Sequence, residues 1–217
     1  MPRLRQVPRA EASASVLPAY TRMFGDRDPV REPGTSTGTP GNWWTVMALV
    51  PDIMKHFQDG VAVFKSGHRV LPAYFRELAI LRTGFARGSK FVFSQHCKGA
   101  RAAGVPEDKI AGIPAWSSAD IFDPKERAVL GYIDEMMLAD GRVQEQTFSR
   151  LKAHFSDEAI LELTYIAGLY LTYAVLARAL RLEYDDVDER VVEVPAPDAL
   201  STSTDIMATI GGATADS

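Results

Sequence analysis

The sequence predicts an all-α fold, a single-domain helical bundle, from three observations. Apolar residues recur every three or four positions through most of residues 43–182, which is the period of an amphipathic helix. Helix start and stop signals divide this region into segments. The alternating pattern of a β-strand is absent at useful length, apart from the short run 190–194. A bundle of packed helices satisfies all three observations.

Prolines and glycines set the first helix boundaries. Pro51 interrupts the helical pattern of residues 43–60, which predicts two short helices or a broken one. Pro72 suits the first turn of a helix that runs to about Arg87, and Gly88 then breaks the pattern. Within it, Phe75, Leu78 and Leu81 follow the helical period.

The second half of the chain contains further helices. Residues 89–103 are predicted to be helical up to Gly104, and the run DPKE at 123–126 has the composition of a capping box. Residues 163–182 are apolar on all sides, which indicates burial in a core or an interface. This segment also contains two arginines and three tyrosines, so we predict a helix of the core rather than a membrane span.

These segments divide the chain into three parts. Residues 1–41, rich in Pro, Gly, Ser and Arg, are predicted to form an N-terminal arm or loop. Residues 42–190 form the helical domain, and the small, polar residues 191–217 are predicted to be a flexible C-terminal tail.

Composition, net charge and cysteine count exclude several classes of function. The 217 residues are enough for one domain with a full core, and fractions of 46% hydrophobic and 24% charged residues are ordinary for a globular protein. The net charge of −4 gives no basic surface for nucleic acid. The single cysteine excludes an internal disulfide and a paired-cysteine redox or zinc site. Residues 1–20 lack a continuous apolar stretch, so we predict no signal peptide and a cytoplasmic location.

Two residues in adjacent helices suggest proton transfer. Glu77 lies in the apolar pattern of one predicted helix and His96 in the next. Imidazole titrates near neutral pH, and a carboxylate bonded to one ring nitrogen fixes the tautomer and makes the other nitrogen more basic. The alternatives are a glutamate that pairs with a cation such as Arg76 or Arg82, and a histidine that is a hydrogen-bonded core residue.

Residues before His96 provide candidate substrate contacts. Ser89, Val92 or Phe93, and His96 are spaced to share one face of their helix. Ser89 stands near the helix N-terminus, where free backbone N–H groups favour an anion, so a substrate carboxylate is expected there.

The pattern RELAILR…RGS…F.FSQH…ARAAGVPED.I in residues 76–110 resembles the carboxymuconolactone decarboxylase family, which includes the alkyl hydroperoxidase D-like proteins. The resemblance covers roughly residues 42–185. It implies an all-helical bundle of the alkyl hydroperoxidase D-like type, assembled as a dimer, trimer or hexamer with sites near the subunit contacts. It also implies that Glu77 and His96 are the functional acid and histidine of the site.

The thiol chemistry of that family is not expected in this chain. The hydroperoxidase branch has cysteines seven and four residues before the histidine, where this sequence has Ser89 and Val92. Without a second sulfur, no residue resolves an oxidised thiol. The resemblance is therefore to the branch that lacks the cysteine pair. Members of that branch often have an acid at the position of Val92, so the decarboxylase-like motif is incomplete.

The predicted function is a cofactor-independent, decarboxylase-like lyase or isomerase. Its substrate would be a small carboxylated lactone or keto acid from the degradation of aromatic compounds, with His96 and Glu77 as proton carriers. No metal site is predicted, since no other histidine has a second histidine one turn away. The predicted substrate-binding residues are Ser89, Val92, Phe93, Arg82, Tyr74 and Trp44, although the aromatic members could equally serve core or interface packing.

Two alternatives remain open from the sequence. The chain could be a non-catalytic, ligand-binding or structural oligomer that kept the fold without the thiols. A peroxidase-like activity through Cys97 alone is a third reading, in which Cys97 would be more than a small buried hydrophobic residue.

Overall fold

The computed structural model describes residues 1–185, 191–194 and 205–210. The α-helices of these residues are α1 (Leu17–Phe24), α2 (Asn42–Met47), α3 (Pro51–Ala62), α4 (Ala73–Ala86), α5 (Lys90–Ala102), α6 (Glu107–Gly112), α7 (Pro124–Leu138), α8 (Glu145–Lys152), α9 (Asp157–Leu180) and α10 (Ile206–Ile210). Three short 3₁₀ helices occupy Arg9–Glu11, Val63–Lys65 and Ile113–Ser118. The described ranges contain no β-strand, which confirms the all-α prediction; Arg190, the first residue of the one strand-like run, lies outside them.

Helix α4 is the centre of the bundle and packs against α5, α7 and α9. Seven consecutive residues of α4, Leu78–Gly84, are buried, because other helices cover it on several sides. Helix α9 is long and apolar enough to cross a membrane by length and composition alone, yet half of its most apolar stretch is buried in this fold. Its buried residues pack mainly against α4 and α5.

Local signals in the sequence place the helix ends as predicted. Asp123 and Glu126 form the reciprocal capping box of α7, each side chain accepting from the other residue's backbone N–H. The Ser89 and Ser156 side chains cap α5 and α9. Pro51 opens α3 and separates it from α2.

The N-terminal segment differs from the predicted arm because it packs on the domain. It contains α1, whose Tyr20 is fully buried and donates to the carbonyl of Val7 at 2.7 Å. The alternating residues Thr35, Thr37 and Thr39 are also buried, and the Thr35 hydroxyl is 3.0 and 2.9 Å from the other two. Mutual hydrogen bonds let this polar loop enter the core.

The C-terminal segment differs from the predicted flexible tail over residues 205–210. These residues include α10, in which Ile206 and Met207 are buried against the bundle. The Tyr170 hydroxyl of α9 lies 3.1 Å from the Met207 sulfur. The rest of the predicted tail, residues 195–204 and 211–217, and residues 186–190 lie outside the described ranges.

A buried acid after α9 fixes the start of α2. The Glu183 carboxylate accepts from the backbone N–H groups of Gly41 at 2.9 Å and Trp43 at 2.7 Å. Burial raises the pKa of the Glu183 carboxyl to about 7, against the opposing effect of these hydrogen bonds. Residues 183–185 are called the C-terminal clamp below, because each of the three bonds to a segment distant in sequence.

Two glycines allow α4 and α5 to approach closely. A Cβ at Gly84 would lie 2.9 Å from the backbone nitrogen of Phe93, and a Cβ at Gly99 would lie 2.6 Å from Oε2 of Glu77. Both distances are shorter than a carbon atom tolerates. The space beside each glycine is therefore filled by the opposite helix.

The raised pKa of Glu183 makes stability depend on pH in a defined direction. Between pH 4.5 and 7 the folded state holds the proton more tightly than the unfolded state, so the free energy of unfolding falls as pH rises through this window. Across this pH window, the free energy of unfolding of the wild type is expected to fall by about 3 kcal/mol relative to that of Glu183→Gln. Urea unfolding at several pH values measures the difference. The exposed Glu32→Gln is the control, and a pH-independent difference for Glu183→Gln would contradict the expectation.

The close approach at Gly99 predicts that added volume destabilises the protein. Gly99→Ala forces the Glu77 carboxylate or the helix to move and is expected to cost about 1–3 kcal/mol. Gly131→Ala in α7 is the matched control, because its Cβ would stand 3.6 Å from Trp116 and Ala favours a helix by about 1 kcal/mol. Chemical denaturation measures both variants. A Gly99→Ala protein as stable as the wild type means that the helices are less tightly packed than described.

Candidate functional site

The site is built around a buried contact between α4 and α5. Glu77 and His96 are 0% and 1% exposed, and Oε2 of Glu77 lies 2.7 Å from Nδ1 of His96. The other carboxylate oxygen accepts from Arg76 at 3.0 Å. The two residues predicted to carry protons are thus in hydrogen-bond contact.

The electrostatics of this contact indicate which of the two side chains carries the proton between them. Burial alone raises the pKa of the Glu77 carboxyl, but the charges and hydrogen bonds of His96 and Arg76 together outweigh burial and lower it. An ionised carboxylate only accepts, so Nδ1 of His96 is the donor in this contact. The electron pair of a neutral imidazole then resides on Nε2, the ring nitrogen that Glu77 does not contact.

His96 borders a small cavity of about 30 Å³ enclosed mainly by aromatic side chains. By the same measure one water needs ~10–15 Å³, so the space holds about two waters. The Tyr170 ring meets the His96 ring edge to face, with centroids 4.5 Å apart. The lining residues are Met23, Thr37, Thr39, Trp43, Trp44, Phe91, Val92, Gln95, His96, Tyr170, Tyr173, Ile206 and Ile210.

Three of the predicted site residues line this cavity, namely His96, Val92 and Trp44. Glu77 does not line the cavity itself and contacts His96 at Nδ1. Trp43 extends the aromatic wall and stacks on Tyr173 with ring centroids 4.5 Å apart.

Ser89 was expected to hold a substrate carboxylate, and the structure places a carboxylate of the protein there instead. The Ser89 hydroxyl donates to Asp185 at 2.5 Å, and the Phe91 backbone N–H donates to the same side chain at 3.1 Å. Ser89 itself is fully buried. The expected anion position at the start of α5 is therefore filled by the C-terminal clamp, and Ser89 does not line the cavity.

Three further predicted residues lie away from the cavity, each for an identifiable reason. Arg82 forms a bidentate ion pair with Asp134 at 2.5 and 3.0 Å and also donates to the Ile113 carbonyl. The Tyr74 hydroxyl donates to Glu126. Phe93 projects into a separate hydrophobic cluster on the other side of α5, together with Leu78, Leu81 and Cys97. The predicted face shared with His96 on α5 therefore does not bring Phe93 to the cavity.

Cys97 is buried in the same hydrophobic cluster as Phe93. The thiol is 1% exposed, and burial, the largest effect, raises its pKa to about 12. Cys97 does not line the cavity of His96. Among the described residues, no group of three His, Cys, Asp or Glu side chains is arranged to hold a metal ion.

Several cavity residues were not predicted from the sequence. Met23, Thr37 and Thr39 come from the presumed arm, and Ile206 and Ile210 come from the presumed tail. No local pattern in the sequence marked them as cavity residues: Thr37 and Thr39 lie in a turn, in which Gly38 has a positive φ, and not in an extended segment.

Comparison with known proteins supports this fold. Residues 51–135 match the carboxymuconolactone decarboxylase family. The uncharacterized protein YdfG of Bacillus subtilis (strain 168) is 29% identical over 92 residues, which are 42% of this chain and 63% of YdfG. The matched region thus spans less than two thirds of that relative.

Solved structures show the same helical arrangement. A protein of unknown function from Agrobacterium tumefaciens, provisionally assigned to antioxidant defence as an AhpD, is 26% identical, with a TM-score of 0.54 over 68% of this chain and 97% of that protein. The debrominase Bmp8 in complex with 2,3,4-tribromopyrrole is 16% identical, with a TM-score of 0.64 over 84% of this chain and 92% of Bmp8. At that identity the likeness shows the fold alone. The chain is therefore similar to the carboxymuconolactone decarboxylase family over residues 51–135 and shares its helical fold with these solved structures.

Proposed function

We propose that this chain is a cofactor-independent lyase or isomerase that moves a proton on a small carboxylated lactone or keto acid derived from aromatic compounds. The observation that supports the proposal is the 2.7 Å contact between Glu77 and His96, with His96 at the wall of the cavity. A buried carboxylate that orients an imidazole is a common arrangement for general acid–base catalysis.

In an isomerisation, Nε2 of His96 takes the proton next to the lactone carbonyl. The electron pair of that C–H bond enters the conjugated carbonyl, and a dienolate forms. The imidazolium then returns the proton at the far end of the conjugated system. The Glu77 carboxylate stabilises the imidazolium, and acid–base assistance of this kind contributes ~10²–10⁴ in rate.

In a decarboxylation, the imidazolium is the starting form. The bond from the substrate carbon to its carboxylate breaks, the electron pair enters the same dienolate, and CO₂ leaves. The Nε2–H of His96 then protonates the carbon, which returns the neutral imidazole. Neither step requires a group that the chain lacks.

The cavity is smaller than such a substrate, so wall residues must move for the ring to enter. Helix α10 contributes Ile206 and Ile210 to the wall, and its Met207 contacts Tyr170. We propose that displacement of this five-residue helix admits the substrate. A short terminal helix is easier to displace than the long α9 opposite.

We also propose that the chain self-associates, as the family resemblance implies. Helix α9 presents an exposed apolar stripe at a spacing of one turn or a multiple of it. Its large members are Leu161, Tyr165 and Val175, which are 69%, 44% and 46% exposed. A partner copy that covers this stripe would explain why an otherwise buried helix has an apolar outer face.

Substitution of the pair tests the catalytic proposal. His96→Asn keeps a hydrogen-bonding group beside Glu77 but no general base, and is expected to lower kcat at least ~10²-fold. Glu77→Gln is expected to lower kcat by about 10²-fold, because an amide no longer holds the proton on Nδ1. CO₂ release and the ultraviolet absorbance of small lactone and keto carboxylates measure turnover.

The exposed His68→Ala is the control and should keep the wild-type rate, while circular dichroism checks the helical content of all variants. Unchanged kcat in His96→Asn would refute the proposal. A wild type that binds but turns over none of these compounds would favour the non-catalytic alternative.

Charge placed on the stripe tests self-association. Leu161→Asp buries a charge at the proposed contact, so we expect the molar mass from light scattering to fall to that of the monomer. Leu138→Asp is the control, because Leu138 is 61% exposed on α7, away from the stripe. A wild-type protein that is monomeric at micromolar concentration contradicts the proposal.

A further inference from the structure

Gln95 is the least satisfied polar side chain at the wall of the cavity. Among the described residues, two buried side-chain polar atoms lack a hydrogen-bond partner, Oγ1 of Thr83 and Nε2 of Gln95. Gln95 lines the cavity, whereas Thr83 lies inside α4 and does not. A buried amide N–H without a protein partner is unfavourable, so its position at the wall of a cavity points to a bound group that accepts its hydrogen bond.

Gln95 lies close to His96, the proposed proton carrier. Gln95 precedes His96 on α5, and both border the same cavity. Rotation about the last side-chain bond exchanges the nitrogen and oxygen of the amide, so Gln95 can present its NH₂ group to a ligand. An acceptor bound there would lie beside the atom that His96 protonates or deprotonates.

The remaining walls restrict the kind of acceptor. No Lys or Arg is among the described residues that line the cavity, so it offers no fixed cation to a carboxylate. The hydroxyls of Thr37 and Thr39 already bond to Thr35. The rings of Trp43, Tyr170 and Tyr173 stack on one another and form part of the cavity wall. These surfaces suit a planar ring, and the amide suits a neutral carbonyl.

From this arrangement we infer that Gln95 binds the carbonyl oxygen of a planar, conjugated lactone or cyclic enone. The inference rests on the proposed function, because it takes His96 as the proton carrier for the same ligand. The Gln95 NH₂ donates to the carbonyl oxygen where negative charge develops as the dienolate forms. The inference thus assigns Gln95 to the ring carbonyl of the substrate rather than to a second carboxylate.

A matched pair of ligands and a matched pair of variants test the inference. The probes are butenolide, the simplest five-membered unsaturated lactone, and dihydrofuran, the same ring without the carbonyl. Gln95→Met removes the amide at nearly constant volume, and Thr83→Val removes the other unpaired polar atom away from the cavity. Nuclear magnetic resonance titration measures the dissociation constants, and thermal unfolding measures the ligand-free proteins.

The wild type and Thr83→Val are expected to prefer butenolide over dihydrofuran by about tenfold. Gln95→Met should bind both compounds equally, and its ligand-free melting temperature should equal or exceed that of the wild type, because an unpaired polar group has been removed. If Gln95→Met does not fold, Gln95→Glu replaces it, since an ionised carboxylate cannot donate and should also lose the preference.

A wild type that binds neither compound, or binds both equally, overturns the inference. So does a Gln95→Met protein that keeps the tenfold preference, or one that is strongly destabilised while binding is unchanged. Exchange of the ring protons of butenolide in D₂O separates the two proposals. Binding that depends on Gln95 without exchange that depends on His96 would retain this inference and reject the proton transfer.

Discussion

The rest of the site depends on the close approach of α4 and α5. Gly84 and Gly99 leave room at the contact, and the Glu77 carboxylate fills the space beside Gly99. A carboxylate shut away from water is costly unless it is paired. Arg76 and the imidazole of His96 provide the pairing, so the burial of Glu77 and its contact with His96 have the same cause. Removal of His96 while the helices stay packed would leave the Glu77 carboxylate buried with one partner fewer.

The C-terminal clamp connects this central contact to the cavity walls. Glu183 holds the N-terminus of α2, which contributes the two tryptophans, and Asp185 holds the N-terminus of α5, which contributes His96. Burial, as the largest effect, raises the pKa of the Asp185 carboxyl, as it does for Glu183. Two helix starts around one cavity are thus held by neighbouring carboxylates of the chain, and the N–H groups there are not available to a ligand.

The fold could be predicted from the sequence wherever the signal was local. The Asp123–Glu126 box and Pro51 mark helix starts through contacts within one turn, and these boundaries are confirmed. The juxtaposition of Glu77 and His96 was also expected, whereas their chemical role stays a prediction. Arg82 and Tyr74 were misplaced because their partners, Asp134 and Glu126, are 52 residues away in sequence. The walls formed by residues 23–39 and 206–210 were missed, since no local pattern shows that they pack on a distant cavity.

The origin of the cavity walls has a consequence for how such a protein can diversify. Glu77 and His96, the proposed proton carriers, belong to the buried helix pair, where almost any change in volume is costly. Met23, Thr37, Ile206 and Ile210 come from segments nearer the two ends of the chain and reach the cavity from outside that pair. Under the proposed function, exchange of these outer segments would change the ligand while the proposed proton carriers stay fixed. Proteins that share this scaffold can then differ in substrate without rebuilding its centre.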